Sequence, residues 1–238
     1  MALGPIRLVK FNKRTMAALK QHDGSAAGAA KHVVLVHGFT RSRYDMALLA
    51  PRLRRLLPHS VVHVFGYSSR TYTIEQAAKH LGEFVGTISS GDSVSFVGHS
   101  LGGLIVRALD LSGEAPAPLS RLVTLGTPHQ GSLVAQKISK LPLLRSLGGP
   151  VLEQLAAPRI SPQPVQLEIG CVIGASNSRF GFLPILRGDN DGLVRVEEAV
   201  LPACVAEVKI PVFHGFFPFS SQVADLAARF LAHGTFSA

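Results

Sequence analysis

Val94-Ser95-Phe96-Val97-Gly98-His99-Ser100-Leu101-Gly102-Gly103-Leu104-Ile105-Val106-Arg107-Ala108-Leu109 decides the fold. The stretch opens as a short apolar run, passes through Gly-x-Ser-x-Gly and continues as a helix-forming segment. A serine held between a strand and a helix by that spacing sits on a sharp, strained turn. The glycines are required because a side chain at their positions would strike the neighbouring strand or helix. Ser100 is thereby pushed out at the carboxyl edge of a sheet, in front of a helix N-terminus, and is the candidate nucleophile.

Working outward, Val33-Val34-Leu35-Val36 reads as a fully buried strand that runs into His37-Gly38-Phe39, the histidine lying 63 positions before the serine (100 minus 37). Downstream, Leu122-Val123-Thr124-Leu125 reads as a strand followed by Gly126-Thr127-Pro128-His129-Gln130-Gly131-Ser132. Gln166 to Ile173 reads as another, and the loop after it ends in Asp189-Asn190-Asp191-Gly192-Leu193-Val194. Val205 to Ile210 alternates like a strand and leads through Pro211-Val212-Phe213 to His214. Val61 to Phe65 is a further strand. The helix after it carries Ile74, Ala77, Ala78, Leu81, Phe84, Val85 and Ile88 on one face and is opened by a Thr73/Gln76 capping box. Strand and helix patterns that alternate in this way predict an α/β fold, a mostly parallel sheet covered by helices on both faces.

In these segments the chain resembles the α/β-hydrolase superfamily, and within it lipases and related esterases. The match covers nearly all of residues 33 to 233 and rests on the His-Gly-X loop, the Gly-His-Ser-Leu-Gly elbow, the Gly-Thr-Pro-His-x-Gly-Ser segment and the Asn-Asp-Gly-Leu-Val segment. The resemblance implies a serine esterase with Ser100, Asp191 and His214 as its triad, in the family's chain order Ser, Asp, His. It further implies an oxyanion hole made of the Phe39 and Leu101 backbone N–H groups. Chemistry asks for the same residue types. A serine hydroxyl needs an imidazole to take its proton, the imidazole needs a carboxylate to hold its tautomer, and the oxyanion needs two fixed donors. Asp189 is the rival for the acid; the Asp-Gly-Leu-Val match favours Asp191. His99 and His129 are expected near the site without catalytic roles, and His233 at the end of the last helix.

Composition is that of one catalytic domain of 238 residues, with a mean hydropathy of +0.28 spread over many short segments. No apolar stretch is long enough to span a bilayer, and the N-terminus lacks the pattern of a secretory signal, so cytoplasmic residence is expected. Cys171 and Cys204 are expected as buried free thiols. No His/Cys/Glu spacing indicates a metal, and neither metal nor cofactor is expected; the calcium site that some similar lipases carry is not transferred, because His214 is followed by Gly215-Phe216-Phe217 with no carboxylate. The net charge of +9 concentrates partly in Lys10, Lys13, Arg14 and Lys20 and in Arg52, Arg54 and Arg55 on a short helix after Pro51. A peripheral contact with an anionic membrane surface is one reading of those clusters, and solvated helix faces are the other. Three tyrosines, no tryptophan and no reader motif argue against nucleic acid.

Residues 133 to 165 are leucine-rich and broken by Pro142, Pro150, Pro158, Pro162 and Pro164. Their place between the elbow and the acid segment is where the superfamily inserts a substrate cap, which implies an apolar acyl or alcohol pocket for a small-molecule or lipid ester. The alternative is that these leucines complete the core. An acyltransferase or thioesterase would use the same site, and a binding protein on this scaffold would have no need of an intact triad. Oligomeric state is open at this level.

Overall fold

The computed structural model describes residues 31–157, 163–176 and 186–237. The lysines and arginine at positions 10, 13, 14 and 20 lie outside the described residues, as do Pro158 and Pro162. Among the described residues, six strands form one parallel sheet in the order β2-β1-β3-β4-β5-β6. They are β1 (His32–Val36), β2 (Val61–Phe65), β3 (Val94–His99), β4 (Leu119–Leu125), β5 (Glu168–Gly174) and β6 (Ala206–Ile210). The fold class expected from the alternating patterns is the one observed.

Helices cover both faces, as parallel strands require. On one face, α3 (Ile74–Ser89) and α4 (Leu101–Ser112) bury Ile74, Leu81, Val85, Leu104, Ile105 and Leu109 against Val34, Val36, Phe96 and Leu122. On the other, α1 (Arg43–Ala47), α2 (Ala50–Leu56) and the C-terminal α9 (Ser221–His233) bury Met46, Leu53, Val223, Ala227, Phe230 and Leu231 against Leu35, Val97, Val123 and Val172. The capping box of α3 forms as read: the Gln76 amide N–H donates to Thr73 Oγ1 and the Thr73 N–H to Gln76 Oε1. Every residue of β3 is buried, whereas β6, an edge strand, alternates Glu207 and Lys209 with apolar residues.

The order 2-1-3 places a topological switch at the carboxyl ends of β1 and β3. The chain leaves β1 toward β2 on one side and returns to β3 on the other, so the loops beyond β1 and β3 diverge and open a crevice. The segment from 133 onward forms α5 (Leu133–Ile138), α6 (Pro142–Gly148) and α7 (Pro150–Ala156), and α8 (Val196–Ala199) follows the acid loop. A 3-10 helix, His214–Phe219, leads into α9. Cys171 is buried in β5, but Cys204 is only partly buried, because it precedes the edge strand where no further strand covers it.

Candidate active site

Ser100 adopts φ 54° and ψ −120°, a region a non-glycine residue enters only when its surroundings hold it there. Three contacts do so. Its N–H donates to the Leu125 carbonyl at 2.9 Å, and its carbonyl accepts from the Gly103 N–H at 3.1 Å and from the Thr127 hydroxyl at 2.9 Å. A Cβ on Gly98 would fall within 2.6 Å of the backbone of Gly103, and one on Gly102 would strike the carbonyl of Val36. The elbow therefore packs backbone against backbone, which leaves the serine as the residue that faces outward.

The His37 loop is pinned in a way that orients its peptide. Tyr67 stacks on the His37 ring at 4.3 Å and donates its hydroxyl to the His37 carbonyl at 2.9 Å. The Tyr67 N–H reaches His37 Nε2 at 3.4 Å, so Nδ1 carries the proton and donates to the Gly38 carbonyl at 2.9 Å. Burial holds this imidazole below its ordinary range, which keeps that tautomer neutral. The Gly38 carbonyl also accepts from the Arg41 N–H at 3.3 Å. A trans peptide sends its N–H opposite to its C=O, so the Phe39 N–H faces away from the His37 ring. Gly38 itself abuts the nucleophile: a Cβ there would lie 3.0 Å from Ser100 Cβ.

Asp191 and His214 meet. The Asp191 carboxylate, 1% exposed, accepts from His214 Nδ1 at 2.7 Å through Oδ2, while Oδ1 accepts the N–H groups of Leu193 at 3.0 Å and Val194 at 2.7 Å. The backbone reinforces the pair, since the His214 N–H donates to the Asp191 carbonyl at 2.7 Å. Asn190 shapes the turn that presents the acid, accepting the Gly192 N–H and donating to the Gly188 carbonyl, each at 2.8 Å. Asp189 is exposed and does not contact the imidazole; its carbonyl accepts the Val196 N–H. Gly126, at φ +56°, leaves room for the pair: a Cβ there would sit 2.9 Å from Asp191 Oδ2 and 3.2 Å from His214 Nδ1.

His99 links the two halves. Its ring lies 4.9 Å from that of His214 and its Nε2–H donates to the His214 carbonyl at 2.9 Å. Complete burial, with the neighbouring His214 as the second cause, holds His99 well below the usual imidazole range. His129 lies elsewhere, fully buried beneath α4, where it accepts from Arg107 Nη1 through Nδ1 and donates to Thr124 Oγ1, both at 3.2 Å. His233 is exposed in the last turn of α9.

Sequence reasoning passed over Thr127, Tyr67 and Glu198. Thr127 was visible only as a member of its motif. Glu198, 4% exposed, accepts the Leu133 N–H at 2.7 Å and the Arg195 N–H at 2.9 Å, and so ties the acid loop to α5. Nothing in a lone glutamate on a short helix signals that role.

Residues 27–155, more than half of the chain, match the protein family described as "Putative serine esterase (DUF676)". The chain belongs to this family. Carboxylic ester hydrolysis is thus the activity class of the esterase, and small-molecule esters are its substrates. No curated protein matches its sequence. Among solved structures, the mature lipase BlEst2 of Bacillus licheniformis is 19% identical, the alignment covering 79% of this chain and 86% of that one with a TM-score of 0.57. The lin2722 gene product of Listeria innocua is 16% identical (86% and 94% covered, TM-score 0.57), and the carboxylesterase CesB of Bacillus subtilis 13% identical (86% and 84%, TM-score 0.53). These likenesses show the α/β-hydrolase fold. No described helix of the esterase is long and apolar enough to cross a membrane.

Proposed function

We propose that the esterase works through a Ser100 acyl-enzyme, with His214 as general base and acid, Asp191 as its orienting carboxylate, and the Phe39 and Leu101 N–H groups as the oxyanion hole. The observation that carries this reading is the 2.7 Å contact between His214 Nδ1 and Asp191 Oδ2, made within a carboxylate that is otherwise fully occupied by backbone N–H groups. With Nδ1 committed to Asp191, Nε2 is the ring nitrogen left to serve the serine. As Ser100 Oγ forms a bond to the ester carbonyl carbon, its proton passes to His214 Nε2 and the carbonyl π pair becomes the oxyanion. Collapse of that intermediate breaks the C–O bond, and Nε2 returns the proton to the departing alcohol. Water repeats the sequence and releases the acid.

The donor geometry supports the oxyanion assignment. Leu101 opens α4, where the first N–H groups have no partner within the helix, and Phe39 presents its N–H on the side opposite the Gly38 carbonyl. We assign residues 133–165 to a small cap within this single domain, with Leu143 and Leu147 of α6, 73% and 58% exposed, as its candidate apolar lining. An apolar acyl group suits that lining.

A p-nitrophenyl ester series from acetyl to palmitoyl, run beside Ser100→Ala, tests the reading. Turnover and organophosphonate labelling are both expected to vanish in the variant, with the mass shift of the labelled protein mapping to Ser100. Labelling that persists at another serine would overturn the assignment, and product analysis with added alcohol separates hydrolysis from acyl transfer.

A further inference from the structure

We propose that α1, α2 and the 3-10 helix His214–Phe219 together form a docking face for an anionic lipid bilayer. Two pairs of exposed apolar side chains mark it. Tyr44 and Leu48, 69% and 53% exposed, are four residues apart and so share one side of α1 and its C-cap. Phe216 and Phe219, 60% and 45% exposed, are three apart on a helix with three residues per turn, and their rings meet edge to face at 6.3 Å.

Arginines bring the two pairs together. The Arg41 guanidinium packs against Gly215, where a Cβ would lie 2.8 Å from Nη2, and Arg52 Nη1 donates to the Phe219 carbonyl at 2.7 Å. Between residues 41 and 57 the chain carries five arginines, at 41, 43, 52, 54 and 55, against one acid, Asp45, which Arg41 already pairs at 3.1 Å. From 213 to 219 there is no acid at all.

That combination selects the occupant. Apolar side chains raised on short helices and interleaved with arginines that outnumber the acids five to one fit the headgroup boundary of a bilayer, where rings enter the acyl edge and guanidiniums meet lipid phosphates. The excess of arginines over acids gives this face a net positive charge that an anionic headgroup layer complements along its whole length. Because Phe216 is two residues from His214, a docked bilayer lies beside the site. The docking itself is independent of the esterase mechanism; only the delivery of membrane esters to Ser100 rests on that reading.

The test uses the full chain carrying Ser100→Ala, sedimented with vesicles of phosphatidylcholine alone or with phosphatidylglycerol added. Binding to the anionic vesicles is expected to exceed binding to the neutral ones at least tenfold and to fall in 0.5 M salt. In that background, Phe216→Ser with Phe219→Ser, and separately Tyr44→Ser with Leu48→Ser, should each lower partitioning at least tenfold, and Arg41→Gln roughly fivefold. All variants keep residues 1–30, so basic residues there act equally in each. The same double variants with Ser100 intact should hydrolyse p-nitrophenyl acetate within about twofold of the parent, which reports their folding. Equal binding by parent and both double variants, or no preference for anionic vesicles, overturns the proposal. So does a concentration-dependent dimer that both double variants abolish without altering vesicle binding, which would assign the face to a second copy.

Discussion

At the scale of single residues, the strongest expectation concerns the proton path. Ser100→Ala and His214→Ala should each lower kcat by about 10⁶-fold, and Asp191→Asn by about 10⁴-fold, since the acid orients while the base moves the proton. Asp189→Asn should stay within about twofold, because its side chain does not touch the imidazole; steady-state kinetics on one ester ranks all four. Gly126 offers a less familiar test. An alanine methyl there would press on both Asp191 Oδ2 and His214 Nδ1, at 2.9 and 3.2 Å. Displacing the pair by a fraction of an ångström should lower kcat by about 10²-fold with little change in KM. Gly113→Ala is its control. Gly113 also has positive φ, +69°, but a Cβ there meets nothing within 4 Å, so stability should drop by about 1 kcal/mol with kcat intact. Equal kinetic effects from the two alanines would detach Gly126 from the site.

Among the elements, the leucine-rich segment divides in two. Val151, Leu152 and Leu155 of α7 are at most 6% exposed and join the core beside α3 and α4, and α7 is fastened further by Gln154, which accepts the Ile74 N–H at 2.7 Å. Leu141, Leu143, Leu144 and Leu147 around α6 stand in solvent. The core reading thus holds for α7, and only the exposed leucines around α6 are left for the cap that we propose. Leu152→Ala should cost about 2–5 kcal/mol in urea unfolding. Leu143→Ser with Leu144→Ser should instead leave the urea midpoint nearly unchanged while raising KM for long-chain esters, with little effect on acetyl esters, which are too short to touch a cap. Uniform loss across chain lengths, with a lowered midpoint, would return α6 to the core.

Across the whole molecule, burial of imidazoles couples folding to pH. His37, His63 and His99 are all held below the ordinary imidazole range, foremost by desolvation, with His63 also facing His32 and Arg54. The folded chain keeps them neutral while the unfolded chain protonates them below about pH 6.5, so unfolding takes up protons and stability falls as pH drops through that value. Asp45 and Asp92 titrate below this window. Urea midpoints should therefore decrease from pH 7.5 to pH 5.5, with His63→Gln flattening the slope; a midpoint that rises on acidification would contradict the burial argument. What the sequence determined by itself was whatever is written locally or in a motif: the strands from their apolar runs, the α3 cap from Thr73 and Gln76, the elbow from its glycines, and Asp191 and His214 as residues to be joined. The tertiary structure decided everything that depends on which distant segments share a surface. It set Asp191 rather than Asp189 against the imidazole, through a turn closed by Asn190. It sent His129 under α4 and not to the site, split the leucines between core and solvent, and brought Arg52 beside Phe219 across 167 positions. Periodicity and turn chemistry act over a few residues, whereas burial and long-range hydrogen bonds exist only once the sheet has ordered its strands.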